Sequence, residues 1–265
     1  MPELPDVESF TRYFERTSLN QEIEEVVGET KSLVKGTSFK KFRKKLIGKE
    51  FTEARRRGKF LIAEVSETEE KVVFHFGMTG SLSYSRQRGS KFGRDEYAQI
   101  TFEFKQGYEL RWINIRKLGK IYFVKKPERI DLIKEMGPEP LSLSEDSFLG
   151  LLEEHERKNV KTFLMDQRDI AGIGNIYSDE ILFQAEIDPH KDIKELDEEK
   201  RKELYQKMKN VLIEASNLSH PGAKFPNSWL SAHREEMECP NYKTHKLTKE
   251  KIGGRTARFC AKCQE

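Results

Sequence analysis

Long apolar segments and cysteine are both scarce in this sequence of 265 residues. No uninterrupted apolar run approaches the roughly 20 residues of a transmembrane helix, which excludes a membrane-spanning chain. Residues 2–20 mix Glu, Asp and Arg into any apolar core, so we expect no secretory signal there. We therefore expect an intracellular protein, in the cytoplasm or at the nucleoid, with no membrane partner.

Charge of one sign is also scarce, because 48 Lys and Arg residues nearly cancel 45 Asp and Glu residues and leave a formal net charge of +3. Such a balance does not by itself predict a nucleic-acid partner. The basic residues are nevertheless concentrated in four stretches: 39–45, 55–59, 86–94 and 239–265. One charged stretch is typical of a solvated surface, whereas several along one chain indicate convergence on a polyanion.

The three cysteines all lie near the end of the chain: Cys239, Cys260 and Cys263. An odd, clustered set in an intracellular protein is more typical of a metal site than of disulfides. Cys260-Ala-Lys-Cys263 is a complete knuckle, whereas Tyr242 stands three residues after Cys239. His245 is a suitable fourth ligand, because neutral imidazole and thiolates together form tetrahedral zinc sites. The alternative is a tail with free thiols and no metal.

Hydrophobic periodicity divides the chain near residues 136–146, where two prolines and a glycine interrupt it. Before that point, residues 98–104 and their continuation after the turn 105–107 alternate as a β-hairpin does. Similar strands are predicted at 51–65, 71–77 and 120–126. With an amphipathic helix at 6–16 they predict a mostly antiparallel sandwich or flattened barrel. After the boundary the periodicity is helical, at 147–156, 159–167, 175–185 and 197–216.

A turn with two glycines interrupts the helical part, in DQRDIAGIGNIYSDEILF at residues 166–183. Gly172 and Gly174 permit a close backbone approach that a β-carbon would prevent, and Asn175 is expected at the N-cap of the next helix. Free N–H groups at a helix start bind anions, and Asn175 adds a side-chain donor. We expect a phosphate site here; the alternative is an ordinary helical corner with glycine at the bend.

Three further positions attract attention because of their chemistry. Met1 is usually removed before a small residue, which would leave Pro2 with a free α-amine that can act as a nucleophile. Met78 lies at a glycine-flanked turn in HFGMTGSL, where a flexible apolar side chain either packs inward or wedges into a base stack. A basic Gly-Gly-Arg hairpin between the cysteine pairs would present Arg255 at its tip, suited to contact phosphate.

Together these segments resemble the formamidopyrimidine-DNA glycosylase / endonuclease VIII family of DNA repair enzymes along nearly the whole chain. The resemblance rests on PELPDVE, RRGKFL, HFGMTGSL, DQRDIAGIGNIYSDEILF and GGRTARFC-AKCQ. Leu4 favours the formamidopyrimidine branch, since the other branch typically has Gly there. The resemblance implies an α+β multidomain fold with an N-terminal antiparallel β-sandwich catalytic domain (1–136) and flanking helices. A helix-two-turn-helix DNA-binding domain (137–222) and a zinc-finger β-hairpin segment (223–265) would follow.

The resemblance also implies roles for individual residues. Catalytic roles are implied for Pro2 as nucleophile, Glu3 as general acid/base and Lys59, which with Asn175 would contact the phosphates beside the lesion. Arg255 would be the finger's phosphate clamp. Met78 and Arg116 would fill the space left by an extruded nucleotide, and Lys117 and Leu118 would also contact the DNA. One structural zinc per chain would be held by Cys239, His245, Cys260 and Cys263.

The activity implied by the resemblance is release of oxidised bases, such as 8-oxoguanine or formamidopyrimidines, followed by strand cleavage. The partner would be double-stranded DNA with damaged bases or abasic sites, bound by a monomer. The alternatives are a glycosylase for oxidised pyrimidines, a non-catalytic damaged-DNA-binding protein on the same fold, and a metabolic enzyme with a zinc-ribbon appendage.

The sequence departs from the family pattern at several positions. Asp6 stands where the family more often has Glu. In NIRKLG, Asn114 and Leu118 replace the usual Asp and aromatic residue, and leucine can wedge but cannot stack. The segment 221–238 is shorter than in typical members that recognise 8-oxoguanine.

Overall fold

The computed structural model describes residues 1–28, 31–86, 97–218, 224–242 and 244–265. These residues form two compact units: Met1–Pro2 with Asp6–Lys134, and Glu3–Pro5 with Glu135–Glu265. Most of the basic stretch 86–94, Lys243 and the expected boundary at 222/223 lie outside the described residues. The division into 1–136, 137–222 and 223–265 therefore stays a prediction. Within the described ranges, no helix has both the length and the apolar character needed to cross a membrane.

The first unit contains two β-sheets, as the alternating hydrophobicity predicts. Its described strands are, in chain order, β1 (Ile23–Gly28), β2 (Val34–Lys35), β3 (Phe51–Arg57), β4 (Phe60–Val65), β5 (Lys71–His75), β6 (Gly80–Arg86), β7 (Ala98–Phe104), β8 (Tyr108–Asn114) and β9 (Lys120–Val124). One sheet has the order β1-β7-β8-β6 and the other β2-β9-β5-β4-β3. The β2–β9 pair is parallel, and the other pairs are antiparallel.

Aromatic side chains fill the space between these sheets. Phe102 on β7 packs edge-on against Phe51 and Phe74 of the other sheet, with ring centroids 5.4 and 6.1 Å apart. Helix α1 (Leu4–Ser18) adds Phe14, whose ring lies 5.0 Å from that of Phe51. The predicted amphipathic helix and the sandwich are therefore both confirmed.

Two α-helices in the described part of the first unit were not predicted. Helix α2 (Phe39–Leu46) lies in the basic stretch, buries Phe42 and Leu46 and begins at the N-cap Ser38, which accepts from Lys41 N. Only a few apolar residues among five basic ones left its periodicity too weak to be recognised. A last single-turn helix, α3 (Asp131–Lys134), ends the unit.

Strand register places three turns at one end of this unit. His75 on β5 pairs with Phe60 on one side and with Lys120 on the other, and Gly80 on β6 pairs with Asn114 on β8. The turns 58–59, 76–79 and 115–119 follow directly from these residues. Side chains far apart in sequence are thereby brought to one end of the sandwich.

The second unit is helical with a terminal hairpin. Its described helices are α4 (Glu145–Glu154), α5 (Val160–Met165), α6 (Asn175–Gln184) and α7 (Glu198–Asn217), and the hairpin consists of β10 (Thr248–Ile252) and β11 (Arg255–Phe259). Ser144, Asn159 and Asp197 cap α4, α5 and α7 through their side chains. The four predicted helices and the predicted hairpin are confirmed, and so is the mixed α+β fold class.

Candidate functional site

The N-terminus of α6 binds a carboxylate from the start of the chain. Glu3 is 2% exposed, and its oxygens accept from the backbone N–H groups of Gly174 (2.8 Å), Ile176 (2.9 Å) and Tyr177 (3.2 Å). The first turn of a helix has N–H groups without helical partners, and its dipole favours an anion there. The expectation of a phosphate on these N–H groups is therefore wrong, because Glu3 occupies them.

The two glycines of the preceding turn are required by this contact. A β-carbon on Gly174 would lie 2.4 Å from the Glu3 carboxylate, and one on Gly172, where φ is +85°, would lie 2.7 Å from the Leu4 side chain. Leu4 N also donates to Gly172 O at 2.9 Å. The turn thus holds the two residues that directly follow Pro2 in the chain.

Asn175 is the first residue of α6 and not its N-cap, which is Gly174. Its side chain instead bridges two elements: Oδ1 accepts from Lys161 Nζ at 3.0 Å, and Nδ2 donates to Thr256 O at 2.8 Å. Thr256 directly follows Arg255, whose side chain is exposed. Asn175 and Arg255, both predicted phosphate contacts, are therefore brought to the same part of the second unit.

A buried ion pair behind Asn175 was missed by the sequence analysis. Lys161 is fully buried and contacts Asp179 and the Ser178 hydroxyl. Burial lowers the pKa of Lys161, and the Asp179 carboxylate opposes that shift. Asp179 also accepts from Arg234 Nη1 (2.9 Å) and Arg258 N (3.1 Å). The pair therefore fixes both the orientation of Asn175 and the attachment of the β10–β11 hairpin to α6.

The four predicted metal ligands lie together. The donor atoms of Cys239, His245, Cys260 and Cys263 all fall within 4.8 Å of one another. His245 Nδ1 is 3.6 Å from the Cys263 sulfur and 3.8 Å from the Cys260 sulfur, and Cys239 and Cys263 sulfurs are 3.6 Å apart. Tetrahedral zinc with Zn–S bonds of about 2.3 Å needs ligand atoms about 3.5–3.8 Å apart. The cluster is able to bind a metal ion.

The predicted DNA-contacting residues of the first unit form one exposed surface. Arg116 Nη1 lies 3.3 Å from the Met78 sulfur, and Arg116 N donates to Thr79 Oγ1 at 3.1 Å. Met78 is 42% and Leu118 48% exposed. Lys117 is exposed in the same turn with φ of +54°. We call the turns 76–79 and 115–119 the two-turn surface; it presents apolar and cationic groups side by side.

Lys59 lies at the same end of the first unit, beside a histidine that the sequence analysis did not select. Lys59 is 8% exposed and follows Gly58, whose φ is +52°. Burial, and then the charges of Lys59 and Lys120, lower the pKa of His75 to about 4. His75 is therefore neutral near pH 7. The only sequence signal was its position next to the glycine-flanked turn.

Comparisons with known proteins agree along the whole chain. Sequence models described as the formamidopyrimidine-DNA glycosylase N-terminal domain and H2TH domain match residues 1–121 and 136–226. Formamidopyrimidine-DNA glycosylases of Carboxydothermus hydrogenoformans and Thermus thermophilus are 30% and 31% identical, over 100% of this chain and 100% and 98% of theirs.

A solved structure has the same fold. Lactococcus lactis Fpg, in complex with a DNA containing N7-benzyl-Fapy-dG, is 28% identical with a TM-score of 0.85 and full coverage of both chains. The sequence models, the relatives and the fold agree with the resemblance carried by the N-terminal, glycine-turn and cysteine segments. The chain belongs to the formamidopyrimidine-DNA glycosylase family.

Proposed function

We propose that this protein is a DNA glycosylase with AP lyase activity that removes oxidised purines from double-stranded DNA. Membership of the family supports the reaction, and the DNA complex of the L. lactis relative supports the partner. The observation that carries the proposal is the Glu3 carboxylate bound to the glycine turn of α6. That contact anchors the chain directly after Pro2, the proposed nucleophile.

Pro2 suits the reaction because its amine is the N-terminal one. An α-amine titrates near pH 8 and a lysine near 10.4, so at pH 7 roughly 10% of the first and about 0.04% of the second are deprotonated. The nitrogen attacks the sugar C1′, and the electrons of the C1′–N bond leave with the base, which takes up a proton. The nitrogen, now bonded to C1′, gives up its proton, and its lone pair displaces the ring oxygen O4′, which takes up a proton as the C1′–O4′ bond breaks. Because proline is a secondary amine, the resulting iminium has no N–H to lose and stays cationic.

The iminium carries the reaction on to strand cleavage. It accepts the electrons of the C2′–H bond as that proton is removed, and the 3′ phosphate leaves by β-elimination. A second elimination expels the 5′ phosphate. Glu3 serves as the acid that protonates the sugar ring oxygen during opening and as the base that later accepts a proton.

The target nucleotide has to leave the duplex before Pro2 can reach C1′. Lys59, Asn175 and Arg255 contact the flanking phosphates in this proposal, which fits their charge or donor groups. Met78 and Arg116 occupy the vacated space, with Lys117 and Leu118 beside them. The exposure of these side chains supports that role, because a residue that replaces a base must be free to enter the stack.

The metal held by the Cys/His cluster is proposed to be one structural zinc per chain. Its ligands are Cys239, His245, Cys260 and Cys263, whose donor set and spacing suit zinc. Zinc would join the two ends of the β10–β11 hairpin that carries Arg255. The monomeric state and the intracellular location stay predictions.

Borohydride trapping tests the proposed reaction. Incubation with a duplex containing an abasic site or a formamidopyrimidine, followed by borohydride, is expected to yield a covalent protein–DNA adduct. Intact-protein mass spectrometry of the same sample is expected to show that Met1 is absent, since a retained Met1 blocks the Pro2 amine. Binding without an adduct to any lesion, in protein that lacks Met1, would instead indicate a non-catalytic DNA-binding protein.

Excision across a panel of lesions tests the choice of base. Formamidopyrimidines and 8-oxoguanine are expected to be released faster than oxidised pyrimidines. The reverse order would assign the protein to oxidised pyrimidines.

Substitution of His245 tests the zinc site. His245→Ala is expected to lower the zinc content from about one per chain and to weaken DNA binding, because three ligands leave a structural site incomplete. Zinc content is measured by elemental analysis and affinity by fluorescence anisotropy.

His245→Cys restores a fourth ligand and is expected to retain zinc. His233, which bonds to Asn227 O and does not belong to the cluster, provides the control His233→Ala. Unchanged zinc and affinity in His245→Ala would exclude His245 as a ligand.

A further inference from the structure

Asn114 is a fully buried amide that joins the two turns of the two-turn surface. Its Nδ2 donates to Phe76 O at 2.9 Å, at the start of the first turn. Its Oδ1 accepts from Leu118 N at 3.1 Å and from Gly119 N at 3.4 Å, at the end of the second turn. Each half of the amide therefore serves a different turn, and a buried amide bonded in this way has one favoured orientation.

The backbone of the two turns is packed too closely to tolerate movement of this amide. A β-carbon on Gly77, where φ is +62°, would lie 2.5 Å from Gly119 N. One on Gly119 would lie 2.2 Å from Asn114 Nδ2. The two turns therefore approach each other through glycine backbone, and Asn114 lies against that contact.

The exposed side chains of the surface depend on this arrangement. The chain from Ile115 to Leu118 leaves β8 at Asn114 and is closed by Lys117 N donating to Asn114 O at 3.1 Å. The turn is fastened at both ends, while Ile115 and Leu118 are 53% and 48% exposed. A surface that must remain in place while it replaces a stacked base needs such support, because freedom of its backbone would add to the entropy lost on binding.

We propose that Asn114 is a positioning residue that joins the two turns into one rigid surface, so that Met78 and Arg116 enter the DNA together. The inference rests on the proposed function, because it concerns the step in which the target nucleotide leaves the duplex. Asn114 itself touches neither the DNA nor the reacting atoms. It acts by fixing the separation of Met78, in one turn, from Arg116, in the other.

In this chain both the N–H and the oxygen of the Asn114 amide are used. The family pattern has Asp at this position, and a carboxylate accepts from Leu118 N and Gly119 N but has no hydrogen for Phe76 O. In this chain an ionised Asp would face that carbonyl inside the protein, where an unpaired acceptor and a buried charge are both unfavourable. Asn114→Asp therefore loses the hydrogen bond to the turn 76–79, and Asn114→Leu loses the side-chain hydrogen bonds to both turns.

The test separates nucleotide eversion from chemistry. Single-turnover excision is measured on a duplex containing a formamidopyrimidine, and borohydride trapping on a single-stranded abasic oligonucleotide, which has no base stack to open. 2-Aminopurine placed beside the lesion reports unstacking on binding.

For Asn114→Leu we expect excision from the duplex to slow at least tenfold and the fluorescence rise to diminish. Trapping on the single strand should stay within twofold of the unsubstituted protein. The rate of excision from the duplex by Asn114→Asp should lie between that of Asn114→Leu and that of the unsubstituted protein.

Tyr84→Phe is the matched control. It removes the hydrogen bond from Tyr84 Oη to Gln21 Oε1 (3.0 Å) elsewhere in the first unit and is expected to leave both substrates unaffected. Equal losses on the duplex and the single strand in Asn114→Leu, or no loss on either, would overturn the proposal. If the unsubstituted protein forms no adduct, the proposed function fails, and the fluorescence rise on binding still decides whether Asn114 supports eversion.

Discussion

Acetylation of the Pro2 amine is expected to abolish base release and strand nicking, with a loss of at least about 10²-fold. The acetyl group makes the nitrogen an amide, which has no lone pair available to attack C1′. Nicking of a duplex containing a formamidopyrimidine and the yield of borohydride adduct measure the effect. DNA affinity should be unchanged, because the phosphate contacts proposed for Lys59, Asn175 and Arg255 do not involve this nitrogen.

Pro2→Gly separates the presence of an amine from the need for a secondary one. Glycine retains a terminal amine, but the imine it forms can lose its N–H proton and become a weaker electron sink. Base release should therefore persist in part, whereas elimination of the phosphates should slow more strongly. Undiminished release and nicking in both the acetylated protein and Pro2→Gly would show that the nucleophile lies elsewhere.

Glu3→Gln is expected to reduce release of the damaged base by about 10²–10⁴-fold, the usual contribution of a positioned acid or base. Trapping at a preformed abasic site should fall less, because part of that sugar is already open as the aldehyde and needs no protonated ring oxygen. Excision and trapping measured on the same duplex separate the two steps.

Glu3 also has a structural role that the experiment has to account for. Its carboxylate binds three N–H groups at the start of α6, so Gln is expected to cost about 1–3 kcal/mol of stability, since an amide presents only one acceptor. Glu180→Gln is the matched control: Glu180 is a buried carboxylate on the same helix that accepts from Ser231 N at 2.8 Å.

Burial raises the pKa of Glu180, which disfavours its charged form. Glu180→Gln should therefore lower the free energy of unfolding less than Glu3→Gln does. The control variant is expected to retain base release. Were Glu3→Gln to lose excision and trapping by the same factor, in step with its thermal stability, Glu3 would be an anchor and not an acid/base.

Several elements were predictable because their signals are local. The alternation at 98–104, the glycines at 172 and 174 and the Cys260-Ala-Lys-Cys263 knuckle each lie within a few residues of one another. The strands, the helical turn and the metal cluster appear where these patterns indicate. His245 was also predictable, because the absence of a cysteine at 242 left imidazole as the nearby ligand.

Other features depend on residues that are distant in sequence. Glu3 occupies the N-terminus of α6, where a phosphate was expected. The contact was not predictable because 171 residues separate Glu3 from Gly174, and no local pattern indicates that they meet. Lys161 reads as an ordinary surface lysine of a short helix, yet it is fully buried against Asp179. The low pKa of His75 likewise depends on its burial in the folded sheet, and then on the charges of Lys59 in the turn before β4 and of Lys120 on β9.

By itself the sequence determined the secondary structure of most segments and the family, and it supplied the candidates for the reactive groups, because these follow from short-range periodicity and residue chemistry. Only the tertiary structure decided which of these groups meet. In that structure Glu3 occupies the N-terminus of α6, Lys161 orients Asn175, and Asn114 joins the two turns of the two-turn surface. Hydrogen bonds between distant segments form only after the strands and helices have packed, so a local sequence pattern does not indicate them.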